Sequence, residues 1–238
     1  MAAGTLDSWM SAGCSGPAKK RKSGTAHDDP LPTKRAKPDT KPKPQESTPA
    51  TKSKPEPTPL NATPTLALKE ETGDIFAAPP NTLLIHACNT DGSWSGGIAQ
   101  AFQSRYPSAF QKYAEHCHEI GGAKLVGTAQ LIPPQSGDSS KHFVGCLFTS
   151  RHYGRRKDPP AKILAATGVA MEELLKQVKG FNAGVGEGER VGEVRICRIN
   201  SGLFRVPWGK TTAVLEGLGV GGEDVRVVKV VSPPEEEE

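Results

Sequence analysis

A short polar run between two apolar segments holds the side chains best suited to chemistry. Residues 86–102 read HACNTDGSWSGGIAQAF, which places a histidine, an asparagine, an aspartate and a tryptophan within nine residues. The ordinary pKa of imidazole lies near neutrality, so His86 could act as an acid or a base, while Asn89 could orient a sugar or a water. The alternative for His86 is a core histidine that is bonded to a backbone carbonyl.

Glycines in two loops could hold an anion. Gly92, Gly96 and Gly97 let the backbone approach a ligand, and Gly97 precedes a helix N-terminus, where free amides and the helix dipole favour negative charge. The stretch NSGLFRVPW at 200–208 offers a second set of amides. Two such loops at one sheet edge could grip a diphosphate; glycines that serve only tight turns are the alternative. Neither loop is a Walker A or a GxGxxG sequence, so the binding of a nucleoside triphosphate or a nicotinamide cofactor by these loops is not indicated.

The usual signatures of phosphatases and metal sites are absent from the sequence. No paired-aspartate nucleophile motif occurs, and Cys146 to Arg151 is one residue short of a Cys-x5-Arg loop. The HCH run at 116–118 places two histidines at i and i+2, which do not share a helical face. We therefore predict no metal ion and no cofactor.

The elements that must position these loops alternate between strands and helices. We predict strands at 72–76, 82–88, 128–133, 142–150, 193–199 and 224–230, and helices on either side of Pro107, at 161–180 with Gly180 as the stop, and around 209–218. The continuous apolar run at 82–88 is typical of a strand buried on both faces. This order indicates an α/β sandwich around a mixed sheet, in which ligands bind where loops gather at strand ends.

Composition divides the chain into a folded part and two tails. Residues 1–70 hold 11 of the 21 prolines and carry 12 Lys/Arg against 7 Asp/Glu, whereas the other residues carry 18 against 19. We predict a disordered basic tail at 1–70, because so few apolar side chains cannot offset the entropy of ordering. One domain follows at 71–232, with an acidic tail at 233–238. Five widely spaced cysteines and the lack of a leader or long apolar run suggest a reducing compartment and no membrane.

Two basic clusters in the tail have three interpretations. PAKKRK at 17–22 and TKRAK at 33–37 resemble a nuclear import signal, in which Lys19 to Lys22 would contact an import receptor. Contact with nucleic-acid phosphates and simple solubility are the alternatives. A nuclear or cytoplasmic protein, or one found in both, follows from the first interpretation.

Four motifs in a fixed order give the sequence a family resemblance. TGDI, LLIHACN, SWSGGIA and INSGLFRVPW together resemble the macrodomain family, which binds ADP-ribose, and in particular its fungal ADP-ribose 1″-phosphate phosphatases. RYPSAFQKYAEHC and CLFTS fit the same branch, and the resemblance covers about residues 73–231. It implies a macrodomain-like three-layer α/β/α sandwich around a mixed sheet, preceded by the disordered basic tail.

The resemblance also implies a site, residue by residue. Asp74 would accept a hydrogen bond from the adenine amino group, and His86, with Asn89, would be catalytic. The remaining substrate-binding positions flank Asp74, follow the strand beside the distal ribose, and form the two phosphate loops: Gly73, Ile75, Ala87, Cys88, Asn89, Trp94, Ser95, Gly96, Gly97, Ile98, Ala99, Asn200, Ser201, Gly202, Leu203, Phe204 and Arg205.

The activity implied by the resemblance is hydrolysis of ADP-ribose 1″-phosphate, a by-product of tRNA splicing, to ADP-ribose and phosphate by a monomer. A non-catalytic ADP-ribose reader and an RNA-associated protein that binds through its tail are the alternatives. A related branch that removes ADP-ribose from proteins uses a lysine and an aspartate; this sequence has Ser150 and Arg151 near the first position and Phe204 near the second, which makes that activity less favoured. The basic stretch RHYGRRKD at 151–158 would bind the extra phosphate through Arg151, His152, Arg155 or Arg156, or would be only a solvated turn.

Overall fold

The computed structural model describes residues 63–234, in which helices cover both faces of a six-stranded sheet. The strands are β1 (Ala67–Thr72), β2 (Leu83–Cys88), β3 (Ala129–Ile132), β4 (Phe143–Phe148), β5 (Val194–Ile196) and β6 (Val227–Ser232). The helices are α1 (Ile98–Arg105), α2 (Pro107–Ile120), α3 (Gly122–Leu125), α4 (Pro160–Gly184) and α5 (Trp208–Glu216). The predicted three-layer α/β/α architecture around a mixed sheet is confirmed.

The topology of the sheet gathers most of its loops at one edge. The strand order is β1-β6-β5-β2-β4-β3, and every neighbouring pair is parallel except β3 with β4. The carboxyl ends of β1, β6, β5, β2 and β4 therefore lie at the same edge of the sheet. The loops that follow β2, β4 and β5 meet there, which is where open α/β sheets bind ligands.

The central strand β2 is buried on both faces, as its apolar run predicts. Leu83 and Ile85 belong to a core on one face, together with the buried side of α4. Leu84 and Cys88 belong to a second core on the other face, together with Phe102 of α1. Alternate residues of one strand thus join the two helical layers, and the end of β2 is held rigidly between them.

Pro107 separates the first two helices, as predicted. Helix α1 ends at Arg105, Tyr106 leaves helical geometry with φ −128°, and Pro107 is the first residue of α2. Proline is favoured at that first position because its missing N–H would have no intrahelical partner there.

The start of the fold differs from the prediction. Strand β1 begins at Ala67 and pairs with β6, so residues that the composition assigns to the tail belong to the sheet. Its sequence, ALKEET, lies at the edge of the sheet with mostly exposed side chains, so it lacks an apolar pattern. Of the predicted strand at 72–76, only Thr72 lies in a strand, at the end of β1. Residues 73–76 form a turn, in which the Asp74 carboxylate accepts the Phe76 N–H at 2.9 Å.

Helix α4 also continues further than predicted. Gly180 does not end it, and the helix runs to Gly184. Phe181, the residue after Gly180, packs its ring edge-on against Phe143 of β4, with 5.1 Å between the ring centroids. Tertiary packing of this last turn outweighs the low helix propensity of glycine.

The predicted tail up to residue 62, with both basic clusters, and the last residues 235–238 lie outside the described residues. Within 63–234, no helix combines the length and the apolar character needed to cross a membrane.

Candidate active site

The loop after β2, residues 89–97, is shaped by Asn89. The Asn89 Oδ1 atom accepts the Asp91 N–H at 2.9 Å, and its Nδ2 atom donates to the Ser93 carbonyl at 2.6 Å. The buried hydroxyl of Tyr113 lies 2.9 Å from the Asn89 carbonyl oxygen and 3.1 Å from Oδ1. This amide therefore closes the loop on itself and ties it to α2.

The same loop ends in a backbone conformation that favours glycine. Gly97 is the N-cap of α1 with φ 57° and ψ −142°, and no side chain caps this helix. Amide groups in the first turn of a helix have no intrahelical acceptor, and they point out from its N-terminus. The N-terminus of α1 is thus a suitable place for a phosphate oxygen, as the sequence predicts.

The loop after β5, residues 200–208, is fixed from below by a buried chain of hydrogen bonds. Thr149 Oγ1 donates to Asn200 Oδ1 at 3.0 Å, and Asn200 Nδ2 donates to Thr167 Oγ1 at 2.9 Å. Asn200 is buried, and its φ of 64° turns the chain. The Val206 N–H closes the loop on the Asn200 carbonyl at 2.9 Å.

The two loops touch each other at one side chain. Leu203, 61% exposed, extends from the second loop, and its Cδ1 atom would lie 3.0 Å from a Cβ built on Gly96. Any side chain at position 96 would therefore need Leu203 to move. The second loop therefore approaches the first closely at Gly96.

Several predicted site residues do lie at the loop edge. Exposed or half-buried positions there are Gly73, Asp74, Ser95, Gly96, Gly97, Ile98, Ala99, Ser201, Gly202, Leu203 and Arg205. Asp74 lies 3.7 Å from Arg105, whose guanidinium stands over the Phe76 ring at 4.5 Å. The sequence prediction missed Arg105 because its position in a helical pattern carries no signal of this contact.

Other predicted residues are buried in the core instead. The side chains of Ile75, Cys88, Trp94 and Phe204 pack in hydrophobic clusters, and half-buried Ala87 packs against two of them. Trp94 stacks on Tyr113 with centroids 4.9 Å apart, so its indole supports the phosphate loop from within. The family resemblance implied a ligand contact for Trp94, but apolar area of this size is most stable when buried.

His86 is the clearest correction to the predicted site. Its side chain is fully buried, and its ring stacks on Phe102 at 4.2 Å and meets the edge of Trp94 at 4.7 Å. Its Nε2 atom lies 3.5 Å from the Cys88 Sγ atom, and no backbone carbonyl accepts from the ring among the described residues. His86 is a core histidine with a thiol partner, and its ring does not reach the loop edge.

One group of side chains has the spacing of metal ligands. His86, Cys88 and Cys146 have ligand atoms within 4.8 Å of one another, and all three residues are buried. Burial, followed by the neighbouring Cys146, raises the pKa of the Cys88 thiol well above its ordinary value, and burial also raises the pKa of Cys117 to about 11. This group lies within the core, below the loops, and supplies nothing to their surface.

The basic loop at 151–158 lies beside the first loop and is braced against it. The Thr90 N–H and hydroxyl both donate to the Arg151 carbonyl, at 3.1 and 2.9 Å. His152 Nδ1 lies 2.8 Å from Asp91 Oδ1, and both side chains are partly exposed. The sequence indicated His152 only as one of four residues for the extra phosphate, and it noted Asp91 in the polar run without giving it a role.

The chain is similar in sequence to known proteins of one family. A profile of the Macro domain family matches residues 85–215. The chain is 52% identical over 159 residues to an ADP-ribose 1″-phosphate phosphatase of Chaetomium globosum, covering 65% of this chain and 85% of that protein. It is 40% identical over 190 residues to a protein of the same name from Aspergillus clavatus, covering 68% and 92%.

Solved structures share the fold at low sequence identity. The macrodomain of Mycobacterium tuberculosis DarG superposes with a TM-score of 0.51 at 19% identity, covering 71% of this chain and 99% of that chain. The macrodomain of Thermus aquaticus DarG gives a TM-score of 0.50 at 17% identity, covering 70% and 98%.

Proposed function

Because the chain belongs to the Macro domain family, we propose that it is a phosphoric monoester hydrolase that converts ADP-ribose 1″-phosphate to ADP-ribose and inorganic phosphate. The observation that carries this proposal is the 52% identity to a relative that is named for this activity, over 85% of its length. Further relatives of that name match over similar spans, including one at 41% identity from Lodderomyces elongisporus.

The two loops support this function because their backbone amides could bind the negatively charged diphosphate of the substrate. Amides at the N-terminus of α1 and in the second loop would bind the diphosphate of the nucleotide, and the Asp74 carboxylate would accept from the adenine amino group. Binding energy at these remote groups fixes the scissile phosphate in place, which is a large part of catalysis in phosphoryl transfer. The chain's own dipoles would also stabilise charge on the phosphoryl oxygens.

The reaction itself breaks one bond and forms one. Water attacks phosphorus, the bond from phosphorus to the ribose O1″ atom breaks, and O1″ leaves as a hydroxyl after taking a proton. The protein must therefore position a water and supply that proton. His86 does not reach the loop edge, and the Asn89 amide is engaged within its own loop.

Release of phosphate by the purified full-length protein is the direct test. We expect it to release inorganic phosphate from ADP-ribose 1″-phosphate in EDTA, and to bind ADP-ribose in calorimetry. The full chain is needed, because a protein that begins at residue 71 would lose most of β1.

Two outcomes would contradict the phosphatase function. Binding of ADP-ribose without phosphate release would favour a non-catalytic reader. Release of ADP-ribose from a modified protein, with the phosphomonoester left intact, would favour the deconjugating reaction.

We also propose that the chain acts on a by-product of tRNA splicing and enters the nucleus through Lys19 to Lys22. The support is the basic cluster PAKKRK and the family resemblance. Replacing the cluster's lysines and arginine with alanine should shift a fluorescent fusion from the nucleus to the cytoplasm in microscopy. An unchanged distribution would instead favour solubility as the role of the cluster.

A further inference from the structure

The proposed phosphatase reaction lacks an assigned proton donor, and one histidine at the loop edge has the geometry for that role. Within residues 63–234, the only imidazole within 4 Å of a carboxylate oxygen belongs to His152. Its Nδ1 atom lies 2.8 Å from Asp91 Oδ1, and the exposed fractions of the two side chains are 30% and 26%. The pair is held together yet remains open to a ligand on its outer side.

The backbone around this pair is fixed by hydrogen bonds from both adjoining loops. Asp158 Oδ2 accepts the Arg151 N–H, and Ser150 Oγ donates to the His152 carbonyl at 2.8 Å. The Thr90 bonds to the Arg151 carbonyl join this loop to the one that carries Asp91. A histidine on such a framework keeps one orientation, which a proton donor requires.

The order of strands along the sheet edge places this pair beyond the two loops proposed to bind the diphosphate. Asp74, the adenine position implied by the resemblance, follows β1, and the two diphosphate loops follow β5 and β2. The strand order is β1-β6-β5-β2-β4, so β4 and its loop come next in the same direction. A nucleotide that lies along this edge would direct its ribose 1″-phosphate toward the loop that carries His152.

The hydrogen bond between His152 Nδ1 and Asp91 determines which ring proton His152 can donate to a substrate. A carboxylate accepts only, so Nδ1 carries a proton that is bonded to Asp91. In the imidazolium form, Nε2 carries the second proton and faces away from Asp91. This proton is the one available to a leaving oxygen.

We propose that His152 is the general acid of this phosphatase and that Asp91 is its positioning residue; the inference rests on the proposed function. As the bond from phosphorus to O1″ breaks, its electron pair stays on O1″, which takes the proton from His152 Nε2. The attacking water forms the new phosphorus–oxygen bond and loses a proton to a phosphate oxygen or to solvent. Neutral His152 then regains a proton from solvent, so the cycle needs no further reactant.

The test uses the full-length protein with His152→Ala, Asp91→Asn and the control His118→Ala, which lies in the exposed last turn of α2. We expect His152→Ala to lower kcat by about 10²-fold or more, the usual contribution of a general acid. Calorimetric affinity for ADP-ribose should stay at the wild-type value, because that ligand lacks the scissile bond. Added imidazole should restore part of the kcat of His152→Ala but not that of Asp91→Asn, and His118→Ala should match the wild type.

Three results would overturn the inference. A kcat of His152→Ala close to wild type would exclude proton donation by this ring. Loss of kcat together with weaker ADP-ribose binding and no imidazole rescue would assign His152 a structural role. An inactive wild-type protein would refute the proposed phosphatase itself, whereas an active wild type with an active His152→Ala variant would refute only the general acid.

Discussion

Replacing Gly97 with valine should lower kcat/KM for ADP-ribose 1″-phosphate by about 10² to 10³-fold, with a comparable loss of ADP-ribose affinity. The φ of 57° and ψ of −142° at this N-cap are nearly inaccessible to residues with a Cβ, and forcing them costs about 1–3 kcal/mol. The chain would relieve this strain by rotating the peptides that present the first amides of α1. A hydrogen bond to a charged group contributes about 1.5–3 kcal/mol, so turning one or two of these amides away from the diphosphate accounts for a loss of this size in both quantities.

The matched control for Gly97 is Gly180→Ala in α4. A Cβ at Gly180 would meet nothing within 4 Å, and its helical φ suits alanine. We expect wild-type kinetics and a gain in stability of up to about 1 kcal/mol, because alanine restricts the unfolded chain more than glycine does. Measuring kcat/KM by steady-state kinetics and ADP-ribose affinity by calorimetry for Gly97→Val and Gly180→Ala tests both expectations. Full activity in Gly97→Val would show that the amides of this helix do not bind the substrate.

His86→Ala should lower the free energy of unfolding by about 2–5 kcal/mol, the range for deleting a large buried side chain. The ring lies between Phe102 and Trp94, so its loss leaves a cavity directly beneath the phosphate loop. Urea denaturation followed by tryptophan fluorescence measures this loss. The activity of His86→Ala should fall mainly because Trp94 and the loop above it lose their support.

The variant His86→Leu separates packing from chemistry at this position. Leucine fills much of the cavity but carries no ring nitrogen, so we expect it to recover most of the stability and a large part of the kcat lost in His86→Ala. Stability near wild type together with complete loss of turnover in His86→Leu would contradict the core role. That result would return His86 to the catalytic role implied by the family resemblance.

The parts of this protein that its sequence predicts are those with a strong local pattern. The apolar run of β2 allows only a buried strand, and Pro107 allows a helix boundary and little else. The glycine loops were predicted because Gly96 and Gly97 stand between a strand and a helical periodicity. In each case the nearest neighbours along the chain carry enough physical constraint to define the conformation.

The parts that the sequence does not predict depend on partners far along the chain. Strand β1 exists because β6, about 160 residues later, offers it a hydrogen-bonding edge. The bond between Asp91 and His152 spans 61 residues, and no local pattern distinguishes either residue from a solvated polar side chain. The burial of the His86 ring could not be predicted from the sequence either. Strand β2 is buried on both faces, so the alternation of its residues does not show where the ring lies.

The chemical state of the buried cysteines depends on whether the folded chain has opened. A thiol reacts with alkylating agents and peroxides as the thiolate, and the raised pKa values of Cys88 and Cys117 leave almost none of that form at neutral pH. Reaction at these positions must therefore await exposure of the core to solvent. In an oxidised cell or an aged preparation, a modified Cys88 would therefore indicate that the molecule had unfolded at some time. An unmodified Cys88 would indicate that the core beneath the loops had not been exposed to solvent.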